Sequence, residues 1–156
     1  MKLHLRWQLF WLSDGKREGL PYTTSVDKIP TESGIYIFGR RWNEDFEALY
    51  VGRANRLRSR VRTQLNNARL MNHVKTIGKG RPVAGYRAVY VGVFEGTQGQ
   101  QWSRCGPVIE KGLIRYFISE EHRLANLHGT QIRTHQIISS GKFLRRVWGS
   151  EVAVER

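Results

Sequence analysis

Residues 86 to 94, YRAVYVGVF, are apolar along nearly their whole length. A short run that is apolar on both faces reads as a strand in the interior of a sheet, because a half-solvated strand alternates apolar and polar residues instead. The chain must therefore supply neighbours for it. Residues 35 to 38 (IYIF) and 48 to 51 (ALYV) read as two such strands, joined by GRRWNEDFE at 39 to 47. So short a connection predicts an antiparallel hairpin. Gly34 stands before the first of these strands and Gly52 after the second, where the backbone turns tightly or approaches a neighbour closely. Leu3, Leu5, Trp7, Leu9 and Trp11 recur with period two and predict an N-terminal strand with one apolar face. The sequence EVAVE predicts a strand at the other end, and residues 135 to 138 also alternate.

From Asn55 the period changes to that of a helix. Leu57, Val61, Leu65 and Ala68 form one stripe, with Asn55 as its N-cap. Arg58 and Arg62 point away from the stripe, and Arg60 lies at its border, placed to reach from the core edge into a cleft. A second helical piece covers 67 to 77, and GKGRP at 78 to 82 ends it. Residues 95 to 106 read as a loop, with Pro107 at the first position of a later helix. In that helix Glu110 falls in the middle of the face formed by Leu113, Ile114, Phe117 and Ile118. An ionised carboxylate on an apolar face must be paired, hydrogen-bonded or bound to a metal.

Charge narrows the class of partner. The chain has 156 residues with 26 Lys and Arg against 13 Asp and Glu, a net +13. No acidic residue lies between Glu47 and Glu95, while Arg53, Arg56, Arg58, Arg60, Arg62, Arg69, Lys75, Lys79, Arg81 and Arg87 all do. A polyanion is the expected partner, and the arginine fork suits phosphate. A further basic group, Lys142, Arg145 and Arg146, lies near the C-terminus. No run is long and apolar enough to span a membrane, and the lone Cys105 reads as a small buried hydrophobe, so a cytoplasmic location is expected. There is no internal repeat or low-complexity tract. The length suits one domain, with a strand near each end.

Taken in order, these residues resemble the GIY-YIG nuclease family. Gly34, Ile35 and Tyr36 spell the first motif, and Tyr50, Val51 and Gly52 stand as YVG in the second. Arg60, Glu110 and Asn126 fall at the positions of the family arginine, glutamate and asparagine, and His73 where some members place a histidine. The similarity covers residues 28 to 128, which it implies are the core of the single domain, with residues 1–27, carrying a strand, and 129–156 as extensions. It departs at the long 39 to 47 connection and at Gln64, where several members carry a histidine or an aromatic residue.

The resemblance implies an α+β fold, with a small, mostly antiparallel sheet, three-stranded at its core and flanked by helices; the N- and C-terminal strands are additional to it. It implies a DNA endonuclease using one Mg²⁺ or Mn²⁺ held by Glu110. Arg60 would clamp the scissile phosphate, Tyr36 would orient or activate water, Tyr50 would bond within the site, and Asn126 would hold its geometry. Arg53, Arg56, Arg58, Arg62, Arg69, His73 and Lys75 are assigned to the nucleic-acid backbone, of DNA or RNA, bound by a monomer or homodimer. The alternative is a basic binding module of the same fold without turnover. If about five phosphates are neutralised, log affinity for duplex DNA falls with log salt at a slope of about −4.5, measurable by anisotropy across a salt series.

Overall fold

The computed structural model describes residues 2–78, 85–128, 134–138 and 151–155. The chain divides into two compact units, Met1–Asn126 and Leu127–Arg156. The first contains, in order, β1 (Leu5–Trp11), β2 (Ser13–Asp14), β3 (Tyr22–Thr23), β4 (Gly34–Trp42), β5 (Asp45–Ala54), α1 (Leu57–Leu65), α2 (Ala68–Thr76), β6 (Tyr86–Phe94) and α3 (Trp102–Ser119). In the second, β7 (Thr134–Ile138) pairs antiparallel with β8 (Glu151–Glu155), the expected C-terminal strand. Residues 79 to 84, which hold Lys79 and Arg81, and 139 to 150, which hold Lys142, Arg145 and Arg146, lie outside the described residues.

The fold is α+β. Its main sheet has four strands in the order β1-β6-β4-β5, every pair antiparallel. β6, apolar on both faces, does occupy the interior. The expected N-terminal strand, β1, adds to the edge of the three strands β6, β4 and β5, pairing with β6 along its whole length. Its expected apolar face is not buried as a unit: Trp7 and Trp11 are exposed, whereas Phe10 on the opposite face packs on the core.

Two apolar layers sandwich the sheet. Tyr36, Phe38, Leu49, Val89, Val91 and Val93 meet Leu57, Val61 and Leu65 of α1 and Leu70, Met71 and Val74 of α2. On the other face Ile35, Ile37, Ala48 and Val51 meet Ile114 and Phe117 of α3 and Leu124 beyond it. Each fully buried side chain of this kind contributes about 1.5 to 3 kcal/mol. Cys105 is buried, as expected.

Several boundaries differ from the sequence reading, each for a local reason. The 39 to 47 connection is mostly strand: Trp42 faces Asp45, and only Asn43 and Glu44 turn, with Asn43 at φ 51°. A bulge at Phe38/Gly39 lets Leu49 add to the core. Gly52 therefore lies inside β5. The helix α1 begins at Leu57, and Asn55 is not its cap. The N–H groups of Leu57 and Arg58 instead donate to the carbonyls of Glu32 and Pro30, each at 3.0 Å. Ala68 belongs to α2, whose cap is Asn67, accepting from Leu70 N–H at 3.1 Å. α3 starts at Trp102, so Pro107 sits inside it rather than opening it.

The polar stretch that looked like a loop is held by buried charge. Glu47 accepts from Arg40 Nε at 2.5 Å and from Arg123 Nε and Nη2 at 2.6 and 2.8 Å, while Arg40 lies 4.0 Å over the Trp42 ring. Burial pushes the Glu47 carboxyl up, but the bonds and charges of Arg123 and Arg40 outweigh it and hold the group down at about 2. A carboxylate depressed in the folded state stabilises the fold above its unfolded value of 4.5, and that stability is lost as pH falls toward 2. Glu47→Gln is expected to cost about 3 kcal/mol at neutral pH and to flatten the acid limb of the stability curve between those values, read by urea denaturation across a pH series.

Candidate active site

The site begins with one cross-strand pair. In the register of the hairpin Tyr36 of β4 stands opposite Gly52 of β5. A Cβ added at Gly52 would lie 2.4 Å from both Cζ and the hydroxyl oxygen of Tyr36, so the phenol ring lies across the glycine. Gly34 is required in a different way. A Cβ there would come 2.0 Å from the Gly92 carbonyl oxygen of β6 and 2.8 Å from Leu57 Cδ1. The two glycines thus let the sheet close on itself and on α1 with the tyrosine between.

Tyr50 is two residues before Gly52 and so shares its face. Its ring centroid is 6.0 Å from that of Tyr36, tilted by 32°. Tyr36 is fully buried, and its hydroxyl has Arg60 and Tyr50 as close polar neighbours but no partner at full hydrogen-bond geometry. Burial pushes that phenol well above its usual value, and Tyr50 adds to the shift. Arg60, its electrostatic neighbour, opposes without reversing it. The same contact raises Arg60 further above the ordinary guanidinium value.

These groups open on a cleft of about 610 Å³. Tyr36, Tyr50, Gly52 and Arg53 form its floor, and Arg56, Ser59, Arg60 and Thr63 rise along α1 and the turn before it. Glu110 of α3 closes the remaining wall. Its place follows from the helix period: Glu110 lies one turn before Ile114, on the stripe that packs against the sheet, at the point where that stripe reaches the cleft. Its side chain is 26% exposed, and Oε2 accepts from Arg53 Nε at 2.9 Å.

Asn126 does not line the cleft. It works from behind: Oδ1 accepts from Val51 N–H at 2.9 Å and Nδ2 donates to Val51 C=O at 2.8 Å. With His122 Nδ1 accepting from Ala48 N–H at 2.8 Å, it covers the outer edge of β5, which no strand among the described residues covers. Val51 lies between Tyr50 and Gly52, so the bonds fix the backbone that carries both.

The structure thus brings Tyr36, Tyr50, Arg53, Arg56, Arg60 and Glu110 to one cleft. Arg58 and Arg62 fall outside it, in a neighbouring groove of about 380 Å³ that also includes Arg56. Arg58 Nε donates to the Ile29 carbonyl at 2.8 Å, and Arg62 pairs with Asp27 at 3.3 Å. Arg69 and Lys75 are exposed on α2. His73 Nε2 bonds the Arg123 carbonyl at 2.9 Å and is not part of the cleft wall. Arg87, counted in the basic stretch, is buried and donates to the carbonyls of Val74 and Ile77. Gln64 is also buried, accepting from Asn67 Nδ2 at 3.3 Å, so its position faces α2 and not the cleft.

Sequence reasoning missed Ser59 and Thr63 as cleft residues, although their spacing from Arg56 and Arg60 places them on one helix face. It also missed Asn55, whose Oδ1 accepts from Trp102 Nε1 at 3.0 Å and ties the turn before α1 to the start of α3. Among the described residues no group of three or more His, Cys, Asp and Glu is assembled. The donor set fits a hard divalent cation on one carboxylate, with water and phosphate oxygens filling the other positions. The Tyr36 hydroxyl beside it, short of a partner at full hydrogen-bond geometry, fits the same arrangement.

Comparison of the chain with family models, with curated proteins and with solved structures gives no match. The site therefore rests on its own geometry. Gly52→Ala is expected to destabilise the fold by about 1 to 3 kcal/mol, because the buried ring cannot move aside without overpacking. Thermal denaturation reads the loss, and the near-ultraviolet tyrosine signal reads displacement of the ring.

Proposed function

We propose that this chain is a divalent-metal-dependent endonuclease of the GIY-YIG type, acting on DNA phosphodiester bonds. The observation that carries the reading is the convergence of Tyr36, Tyr50, Arg60 and Glu110 on one cleft, with the Tyr36 hydroxyl short of a partner at full hydrogen-bond geometry. A buried hydroxyl without a partner is costly unless a ligand or water completes it. A water placed to attack a phosphodiester is such a partner.

In this mechanism the Glu110 carboxylate holds the cation, which supplies Lewis-acid stabilisation of the developing charge when bound. Arg60, exposed beside Tyr36, donates to the non-bridging oxygens of the scissile phosphate and stabilises the transition state. Tyr36 remains protonated at neutral pH, since burial holds its phenol above the usual value. Its role in the unliganded cleft is therefore to orient the water by a hydrogen bond. Accepting the proton of that water would require added positive charge beside the hydroxyl. Tyr50 bonds within the site beside Tyr36, and Asn126 holds the two tyrosines in register through Val51. Arg56 and the neighbouring Arg58 and Arg62 take up backbone phosphates away from the reacting one.

A second reading has its own support. The Arg53–Glu110 ion pair leaves Glu110 engaged without any cation, as suits a basic nucleic-acid-binding module that does not turn over. Nicking of supercoiled plasmid separates the two. Wild type is expected to nick with Mg²⁺ or Mn²⁺, and Glu110→Ala, Tyr36→Phe and Arg60→Ala each to lower the rate by about 10² to 10³. Pure wild type that binds the plasmid and nicks it with neither metal decides for the binding module.

A further inference from the structure

The cleft carries three arginines, Arg53, Arg56 and Arg60, against the one carboxylate of Glu110, a net charge of +2. A divalent cation entering it alone meets like charge on three sides. It also finds its ligand occupied, because Arg53 Nε sits 2.9 Å from Glu110 Oε2. The Arg53 side chain is 45% exposed and that of Glu110 26%. An ion pair so open to water contributes little to the stability of the fold. It holds charge in place and is cheap to exchange.

We infer that the Arg53–Glu110 pair is an exchangeable latch coupling the two ligands of the cleft. A nucleic-acid phosphate draws Arg53 onto itself, and a divalent cation takes the released carboxylate. The inference rests on the metal-dependent reading above and adds to it the order of events. Arg53 follows Gly52 and so points to the opposite face of β5, toward Glu110 of α3, yet it lines the same cleft as Arg60. Phosphate charge offsets the arginines while Arg53 swings away, and both changes favour the cation. By linkage the cation tightens nucleic-acid binding by the same factor, since Arg53 no longer has Glu110 to return to. Arg53 is in these terms a positioning residue for Glu110 as well as a phosphate contact.

The test measures Mn²⁺ binding to the full chain by electron paramagnetic resonance of the free ion, with and without a short DNA duplex. Tyr36→Phe serves as the background that slows cleavage, and binding by the same chain carrying Glu110→Gln is subtracted to remove ions held by the DNA itself. The duplex is expected to tighten Glu110-dependent Mn²⁺ binding by about tenfold or more. Arg53→Gln should tighten Mn²⁺ binding without DNA by a similar factor and abolish most of the effect of the duplex. Arg56→Gln removes the same charge from the cleft and weakens duplex binding without touching the pair, so at saturating duplex it should keep most of the tightening that Arg53→Gln abolishes. Arg53→Lys, which keeps the charge and loses the planar fork, should restore part of the coupling and shows that the position tolerates change. Glu110-dependent binding that Arg53→Gln leaves unaltered overturns the latch and spares the endonuclease reading. No Glu110-dependent binding under either condition overturns both.

Discussion

The register between Tyr36 and Gly52 is the constraint on which the rest depends. A strand has period two, so a slip of one residue would turn Tyr36 to the α3 face and set it among Ile114 and Phe117. Four devices hold the register. Gly52 leaves room for the ring, Gly34 lets β6 and α1 close over the start of the strand, and Asn126 bonds both polar groups of Val51 between the two motif residues. The fourth is at the far end of the hairpin, where the Arg40–Glu47–Arg123 network locks the strands after the bulge. Because Arg123 lies three residues before Asn126, one short segment beyond α3 secures β5 at both places.

The positive charge divides by burial. Arg40 and Arg87 are buried and belong to the architecture: one pairs with Glu47, and the other satisfies the carbonyls at the end of α2. Arg58 is half spent on the Ile29 carbonyl. Arg56 and Arg60 remain exposed on the cleft, where a phosphate gains most from them. A count of basic residues along the acid-free stretch therefore overstates what a polyanion meets. Arg87 in particular cannot turn outward without leaving Val74 and Ile77 unbonded.

What the sequence made legible was whatever expresses itself as apolar periodicity. β6, the tyrosine strands, both short helices and the inward-leaning Glu110 all follow from it. Where polar residues do structural work the reading failed. Arg40, Arg41 and Glu47 look like loop, yet the buried ion pair between the first and last of them carries the strands on to Trp42 and Asp45. Asn55 looks like a cap, yet its side chain serves Trp102 while backbone carbonyls of Glu32 and Pro30 cap the helix. Such partners are distant in sequence, and nothing local signals them. Cys105 and Gly106 gave no sign of helix ahead of Pro107, because proline lacks one donor only and the first turns of α3 close without it. Asn126 entered on resemblance alone; its physical task, satisfying an edge strand, shows only once β5 is seen at the edge.

The protonation of Tyr36 bears on what the cleft can do unaided. Two effects compete at its hydroxyl. Removal from water and the proximity of Tyr50 favour the neutral phenol, Arg60 favours the anion, and the first two win. A tyrosine whose ordinary value is about 10 is already ionised only about once in a thousand at neutral pH, and a further rise makes that fraction smaller still. The free cleft is thus poor at taking a proton and well arranged to place one. To reverse the balance, charge must arrive on the Glu110 side, because Arg60 is already present and does not suffice. The same geometry that buries the ring over Gly52 thus ties any base function of Tyr36 to a ligand the cleft must first acquire.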